Sequence, residues 1–456
     1  MLKGEVTAFL SLIFILLISF IMGVMEAAVI QEQKSKSRID TDAAVYSVFG
    51  EYQKELFQEY QIFGMEGSYE TGDFNEQNII RRMHYYGTTG MQHEIEAIQL
   101  LTDNQGQAFR EQVVTYMEQK TGISTVKEIA DMTESWKEQE IEGEKVGEKE
   151  ENVLSDYEEL IPEGEEAPDL GEENPFACLE EINKSGILSM VLPEEFPLSG
   201  KNVDLDSQPS YRNRITGRGE LPARQNLDGI EEKLLFSEYV LEKFQNAMSE
   251  EEKERSLSYE TEYILSGKES DEKNLESVVQ KIFLIRMGIN YLYLLTDTVK
   301  QGEAAALALT VSTLLAIPWA EEAVKQLILI AWAAGESIMD LRSLLSGNRV
   351  ALIKTTESWQ LSLSGLMTLG SESDSLEGTD CEGGFSYEDY LRVLLFLKDN
   401  GEISMRSLDR IEQNLIYEQN LPFFRTDFCI VKIKLQNQAV VGGKFTYEFP
   451  VYFGYE

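Results

Sequence analysis

The sequence predicts an α+β protein that is mostly helical. An N-terminal transmembrane helix continues into a long stalk helix, followed by a helical domain packed on a small antiparallel sheet that includes a C-terminal β-hairpin. Three observations carry this. The chain opens with a long apolar run free of charge, apolar residues then recur every three or four positions through most of the length, and the last thirty residues switch to alternation. Elements in order give expected boundaries of 1–26 for the anchor, 27–62 for the stalk, 63–136 for a first α/β segment, 137–174 for an acidic disordered linker, 175–425 for the helical domain and 426–456 for the hairpin.

From Val6 to Met25 the polar residues are Thr7, Ser11 and Ser19, whose hydroxyls can bond back to helix carbonyls one turn earlier. Thirteen residues here are Leu, Ile, Val or Phe. Each favours insertion by roughly 0.3–0.6 kcal/mol, or about 4–8 kcal/mol together. Val6, Phe9, Leu12, Leu16, Phe20 and Val24 are the anchoring residues on this reading. A cleaved secretory signal has a shorter apolar core and a small-residue cleavage site, which "MEAAVIQ" matches poorly. Ile39, Ala43, Tyr46, Phe49, Tyr52, Leu56 and Tyr60 continue the helical spacing, and the first proline is Pro162. An unbroken helix from Val6 to Tyr60 would be about 80 Å long.

Past the stalk, "DFNEQNIIRRMHYYGTTG" reads as a short helix stopped by Gly87 and "HEIEAIQLLT" as a strand. "DNQGQAFREQVVTYMEQKTG" reads as a helix from Asp103 to a stop at Gly122. Lys137 to Asn174 is dominated by Glu and reads as an extended, self-repelling linker. A polar loop, Lys201 to Gly229, precedes helices over Leu234–Met248, Leu257–Ser266 and Asn274–Lys300. The last of these carries Val278, Ile282, Ile285, Ile289, Leu292 and Leu295 at core spacing. Ala304 to Ala320 is long enough to raise a membrane hairpin, but Pro318 interrupts it and Glu321 and Glu322 open a new helix, so two buried helices packed together are expected. "SYEDYLRVLLFLKDN" is a further core helix and "SMRSLDRIEQNLIYEQN" a more polar one. "DFCIVKIKLQN" and "KFTYEFPVYFG" alternate as a hairpin turned through "QAVVGG", and Pro450 requires its strand to lie at an edge or to present that nitrogen outward.

Several stretches carry a resemblance. "MLKGEVTAFLSLIFILLISFIMGVMEAA" resembles the start of a type IV pilin-like protein, with a short basic leader ending in Gly before a long apolar helix. Together with "AVYSVFGEYQKELFQEYQIFG", "NPFACLEEINKSGILSMVLPEEFPLS", "LSYETEYILSGKESDEKNLESVVQKIFLIRMGINYLYL" and "FSYEDYLRVLLFL" it resembles an uncharacterised clostridial-type family, domain of unknown function 5702. That family is typically found beside genes for tight-adherence (Tad or Flp type) pili. The resemblance implies a single-span protein with its body outside the cell, Gly4 and Glu5 as the candidate processing site, and pilus or pseudopilin subunits as partners. Where a processed pilin has Glu five residues after its Gly, this chain has Phe9. The anchor is therefore expected and incorporation into a fibre is not.

With 80 Asp and Glu against 40 Lys and Arg, the net charge of −40 repels nucleic acid and anionic lipid headgroups. Cys178, Cys381 and Cys429 are too far apart to read as a disulfide framework or a zinc cluster. The histidines, His84 and His93, fall in none of the common hydrolase or nucleotide-binding motifs. Glu372, Asp374, Glu377, Asp380 and Glu382 crowd one loop outside the twelve-residue calcium-loop register, so a solvated loop is favoured over weak calcium binding. Glu260, Glu262, Arg286 and Asn290 are expected to form a polar network in the core. No catalytic residue and no cofactor is expected. The reading is a structural or assembly protein in contact with membrane lipid, anchored by one span and facing outward. Its alternatives are an outward-facing hydrolase using carboxylates and a membrane scaffold with a cytoplasmic domain, the latter because Lys34, Lys36 and Arg38 follow the apolar run.

Overall fold

The structure, a computed structural model, describes residues 2–121, 133–161, 174–224, 226–249, 253–314, 317–371 and 373–455. The chain divides into two compact units, and neither is one stretch of sequence. The first comprises Met1–Tyr116, Pro209–Leu227 and Leu408–Glu456; the second comprises Met117–Gln208 and Asp228–Ser407. The divisions expected at 63–136, 175–425 and 426–456 do not follow these units, because the C-terminal strands pair with segments near the start of the chain.

In the first unit, α1 (Leu2–Phe49) is followed by α2 (Lys54–Tyr60), β1 (Met65–Glu66), α3 (Gln77–Met83), β2 (Gln92–Leu100) and α4 (Asp103–Thr121), whose residues from Met117 on belong to the second unit. The sheet is completed by β3 (Cys429–Val441) and β4 (Phe445–Gly454). All pairings are antiparallel and β3 is central, with β2 on one side and β1 then β4 on the other. Ile98 lies opposite Ile433, which lies opposite Phe453, and Ile95, Leu435 and Val451 form the next row. Against these rows α1 lays Ala44, Val45, Val48 and Phe49, while α3 adds Ile79 and Met83. Pro450 falls in β4, which pairs with β3.

Two expectations about the stalk need correction. The helix does not run to Tyr60 but ends at Phe49. Tyr455 Oη donates to the Phe49 carbonyl, Gln53 N turns toward Gly64 O at 2.9 Å, and Glu51 is drawn aside by Arg82, Tyr69 and Tyr86. These tertiary partners outweigh continued helix. The buried face is also rotated from the one expected: Ile39 is 65% exposed and Tyr46 71%. Small residues let the sheet approach along Thr41, Ala44, Val45 and Val48, and the buried Thr41 hydroxyl is satisfied by Ser37 O at 2.8 Å.

The second unit holds α5 (Thr133–Glu150), α6 (Val153–Glu159), α7 (Ala177–Ser185), α8 (Ile187–Val191), α9 (Ile230–Lys243), α10 (Glu260–Ser266), α11 (Asp271–Thr296), α12 (Thr298–Leu314), α13 (Glu321–Leu345), α14 (Leu363–Thr368) and α15 (Tyr387–Leu397). α16 (Asn400–Glu418) has its residues before Leu408 here and the rest in the first unit. The expected acidic linker is corrected in part, since residues 137–150 lie in α5; residues 162–173 are outside the described residues. α5 packs on α11 because Trp136, Gly143, Val146 and Gly147 share one buried face, while its glutamates take the other. α13 is buried almost continuously from Leu327, as expected. α12 is covered on one face by Ala304, Ala308 and Val311, but Leu309 and Leu314 stay exposed, as does Trp319 at 76%. A capping box forms at Ser386 and Asp389.

Candidate functional site

The first twenty-odd residues of α1 lie open on every face. From Gly4 to Val29 every residue is exposed, and Phe9, Leu12, Leu16 and Phe20 each present more than half their surface. This segment is about 39 Å long at 1.5 Å per residue, against a hydrocarbon core of about 30 Å. Ser11 Oγ bonds back to Ala8 O at 2.8 Å, so its hydroxyl is satisfied within the helix. Gly4 and Glu5 stand at its exposed start, and a Cβ at Gly4 would meet nothing within 4 Å. Among the described residues α11 is also long and apolar enough to cross a membrane, but most of that window is buried.

Where the bare segment ends, the fold takes hold. Ile30 packs against Gly442 in the β3–β4 turn, and Gly442 N donates to Gln33 Oε1. Lys34 Nζ lies 5.0 Å from the centre of the Tyr447 ring, and the Arg38 guanidinium 5.7 Å from that of Phe449. Phe49 then stacks on Phe453 at 4.3 Å, and Tyr46 meets the same ring edge-on at 5.3 Å. α1 is therefore one helix with two environments.

The four residues expected to share a core network go to two places in the second unit. Arg286 and Asn290 meet on α11 beside Asp340: Arg286 Nε donates to Asp340 Oδ2 at 2.9 Å and Asn290 Nδ2 to the same oxygen at 3.1 Å. Lys354 Nζ bridges Asp340 Oδ1 at 2.7 Å and Glu336 Oε1. Leu361 N donates to Glu336 Oε2 at 2.7 Å. All four ionic side chains are buried, and the two cations balance the two carboxylates. Burial lifts Asp340, but Arg286 and Lys354 outweigh it and hold the group below the usual range; Glu336 stays raised because burial dominates. Glu336, Asp340 and Lys354 escaped the sequence reading. The available signal was two acids four residues apart inside the apolar "ILIAWAAGESIMDLRSLL", where burial demands a counterion.

Glu260 and Glu262 lie on α10. Glu260 Oε2 accepts from Arg255 Nη1 at 2.8 Å and Gln245 N at 3.1 Å. Glu262 Oε1 accepts from Ala247 N and Tyr387 Oη, both at 2.9 Å, while its Oε2 has no partner among the described residues. Burial pushes the Glu262 carboxyl up to about 7 from 4.5. Between those values the folded chain keeps a proton that the unfolded chain has released, so stability falls as pH rises through that window. Glu262→Gln is expected to remove this slope and to leave the variant about 2–3 kcal/mol more stable than the parent at pH 8. Urea titrations at pH 5 and pH 8 check both the sign and the size.

His84 and His93, read separately from sequence, have ring centres 5.4 Å apart. His93 Nδ1 is 2.7 Å from Asn437 Oδ1 and its Nε2 2.8 Å from Thr88 Oγ1. Burial lowers its pKa despite the Asn437 bond, which fits a neutral structural imidazole. Asp374 is engaged by Arg342 and by the backbone of Gly370 and Leu376, and Asp380 accepts from Arg349 N. Glu372 is outside the described residues. Among the described residues no group of three or more His, Cys, Asp or Glu could hold a metal ion. Cys178 and Cys429 are buried and Cys381 half-buried, all unpaired.

Residues 165–440, more than half of the chain and excluding α1, match the profile of a family described as "Family of unknown function (DUF5702)". No curated protein and no solved structure matches the chain.

Proposed function

This chain belongs to DUF5702, a family of unknown function, and from that premise we propose that it is a membrane-anchored extracytoplasmic structural or assembly protein, associated with a Tad/Flp-type pilus or a similar cell-surface apparatus. One observation carries the reading: a single helix whose first half is apolar and bare over about 39 Å and whose second half is fixed onto the sheet of the first unit. The bare half requires a nonaqueous partner, and a bilayer or the matching helices of pilin-like neighbours supply one. The fixed half joins that partner to the folded body without a loose linker. The charge count against an outward orientation is weakened at Lys34 and Arg38. They favour a cytoplasmic body by simple counting, but both lie over rings of β4 and serve the fold.

The test compares the full chain with one lacking residues 1–26, which keeps the sheet-facing residues from Ser37 to Phe49. The full chain is expected in the membrane fraction, co-purifying with proteins of the pilus locus, and the truncated chain in the soluble fraction without them. Protease added to intact cells should remove the body of the full chain. A full chain that stays soluble without detergent would refute the anchor, and a body spared by protease would refute the orientation. Recovery of no pilus-locus protein from membranes would refute the association.

A further inference from the structure

Among the described residues β4 pairs with β3 alone, which leaves its outer edge without a strand. Which main-chain groups point to that edge follows from the register. Ten consecutive residues of β4 pair with β3, from Gly454 opposite Lys432 to Phe445 opposite Val441, with no bulge between. One step beyond, Tyr455 N donates to Val431 O at 3.2 Å. Opposite residues in an antiparallel ladder alternate between exchanging both main-chain hydrogen bonds and exchanging none. Counted in twos from Tyr455, residues 453, 451, 449, 447 and 445 therefore bond to β3. Asn437 Nδ2 reaches Phe449 O at 3.2 Å from the β3 side, in agreement. Residues 454, 452, 450, 448 and 446 turn their main-chain groups to the open edge.

Pro450 stands in the middle of that outward set, where it has no N–H to offer. Thr446 and Glu448 beside it are exposed, as is Pro450 itself. The rest of the strand has the composition of one that adds to itself. Five of its ten residues are aromatic, Thr446 and Val451 are β-branched, and Glu448 is its single charge. The edge is also self-complementary. A second copy laid antiparallel about an axis through residue 450 sets Thr446 against Gly454 and Glu448 against Tyr452, with the two residues 450 facing each other at the centre. That central pair would exchange two hydrogen bonds, and proline removes both. A register shifted along the strand leaves an unanswered carbonyl wherever the second copy meets Pro450.

We infer that the outer edge of β4 is a docking edge for a second copy of this chain, held shut by Pro450. The proline keeps apart copies that the edge would otherwise join strand to strand. The net charge of −40 also opposes contact between copies, so the test is run at about 0.5 M salt, where that repulsion is screened. Sedimentation of the detergent-solubilised full chain is combined with amide hydrogen exchange read residue by residue. In the parent, the amides of Tyr447 and Phe449 are expected to exchange at least roughly tenfold more slowly than those of Thr446 and Glu448 at every protein concentration. Pro450→Thr should self-associate roughly tenfold more tightly than the parent, and its Thr446 and Glu448 amides should gain protection as the concentration rises. Pro450→Ala restores the N–H with the smallest side chain and takes its place should Pro450→Thr fail to fold. Slow exchange at Thr446 and Glu448 in the parent would overturn the inference, as would parental self-association in the folded variants. So would association that leaves those two amides unprotected, because the copies would then be meeting elsewhere.

Discussion

Lys354→Met is expected to destabilise the protein by about 3–5 kcal/mol at pH 8. The substitution keeps most of the stem but deletes the ammonium that bridges Glu336 and Asp340. Both carboxylates are fully buried. Asp340 would retain Arg286 and Asn290 on its other oxygen, whereas Glu336 would keep backbone donors but lose its cation. Burial already raises Glu336, with Lys354 the main opposing influence, so the variant would take up a proton there. Its deficit should shrink as the pH falls and Glu336 is neutralised. Adding Glu336→Gln should recover more than half of the loss at pH 8. Urea midpoints at pH 8 and pH 5 measure all of this, and a loss below about 1 kcal/mol would mean that water reaches the quartet.

Gly143→Leu should cost about 4 kcal/mol or more by overpacking a helix contact that cannot yield. At this crossing α5 and α11 touch backbone to backbone. A Cβ on Gly143 would lie 2.5 Å from Leu284 O, and one on Gly288 would lie 2.8 Å from Gly143 N. Gly143→Ala gains about 1 kcal/mol in helix propensity and should still lose stability. Gly147 provides the contrast, because its added Cβ would meet only the end of the Leu284 side chain, which can rotate away. Gly147→Ala should fall within about 1 kcal/mol of the parent. Thermal unfolding of the three variants separates backbone collision from side-chain crowding; equal losses at both glycines would contradict the account.

The elements most legible in the sequence were those whose signal is local and repeated. The bare half of α1, the long core helices α11 and α13 and the alternation in β3 and β4 all belong here. Pro450 marked its strand for an edge, and among the described residues β4 pairs with β3 alone. α5 was hidden because its glutamates dominate any average, although Trp136, Gly143, Val146 and Gly147 mark a buried face. The end of α1 was hidden because it depends on Tyr455 and Arg82, distant groups that no window around Phe49 contains. The same non-locality separated Arg286 from Lys354 and joined His84 to His93. Charges buried in a core are chosen by their partners across the fold, so sequence reports their presence long before it reports their pairing.

The segmented first unit also sets a timetable for synthesis. α1 is translated first and its partner strands β3 and β4 last, with residues 50–428 between them. At about 5–20 residues per second this leaves the sheet-facing half of α1 waiting roughly 20–80 s for its permanent neighbours. Throughout that interval the apolar start of the helix has already left the ribosome while its lower half has α3 for cover but neither β3 nor β4. A nascent chain of this design needs early custody, by a membrane or by a chaperone, before most of it has been made.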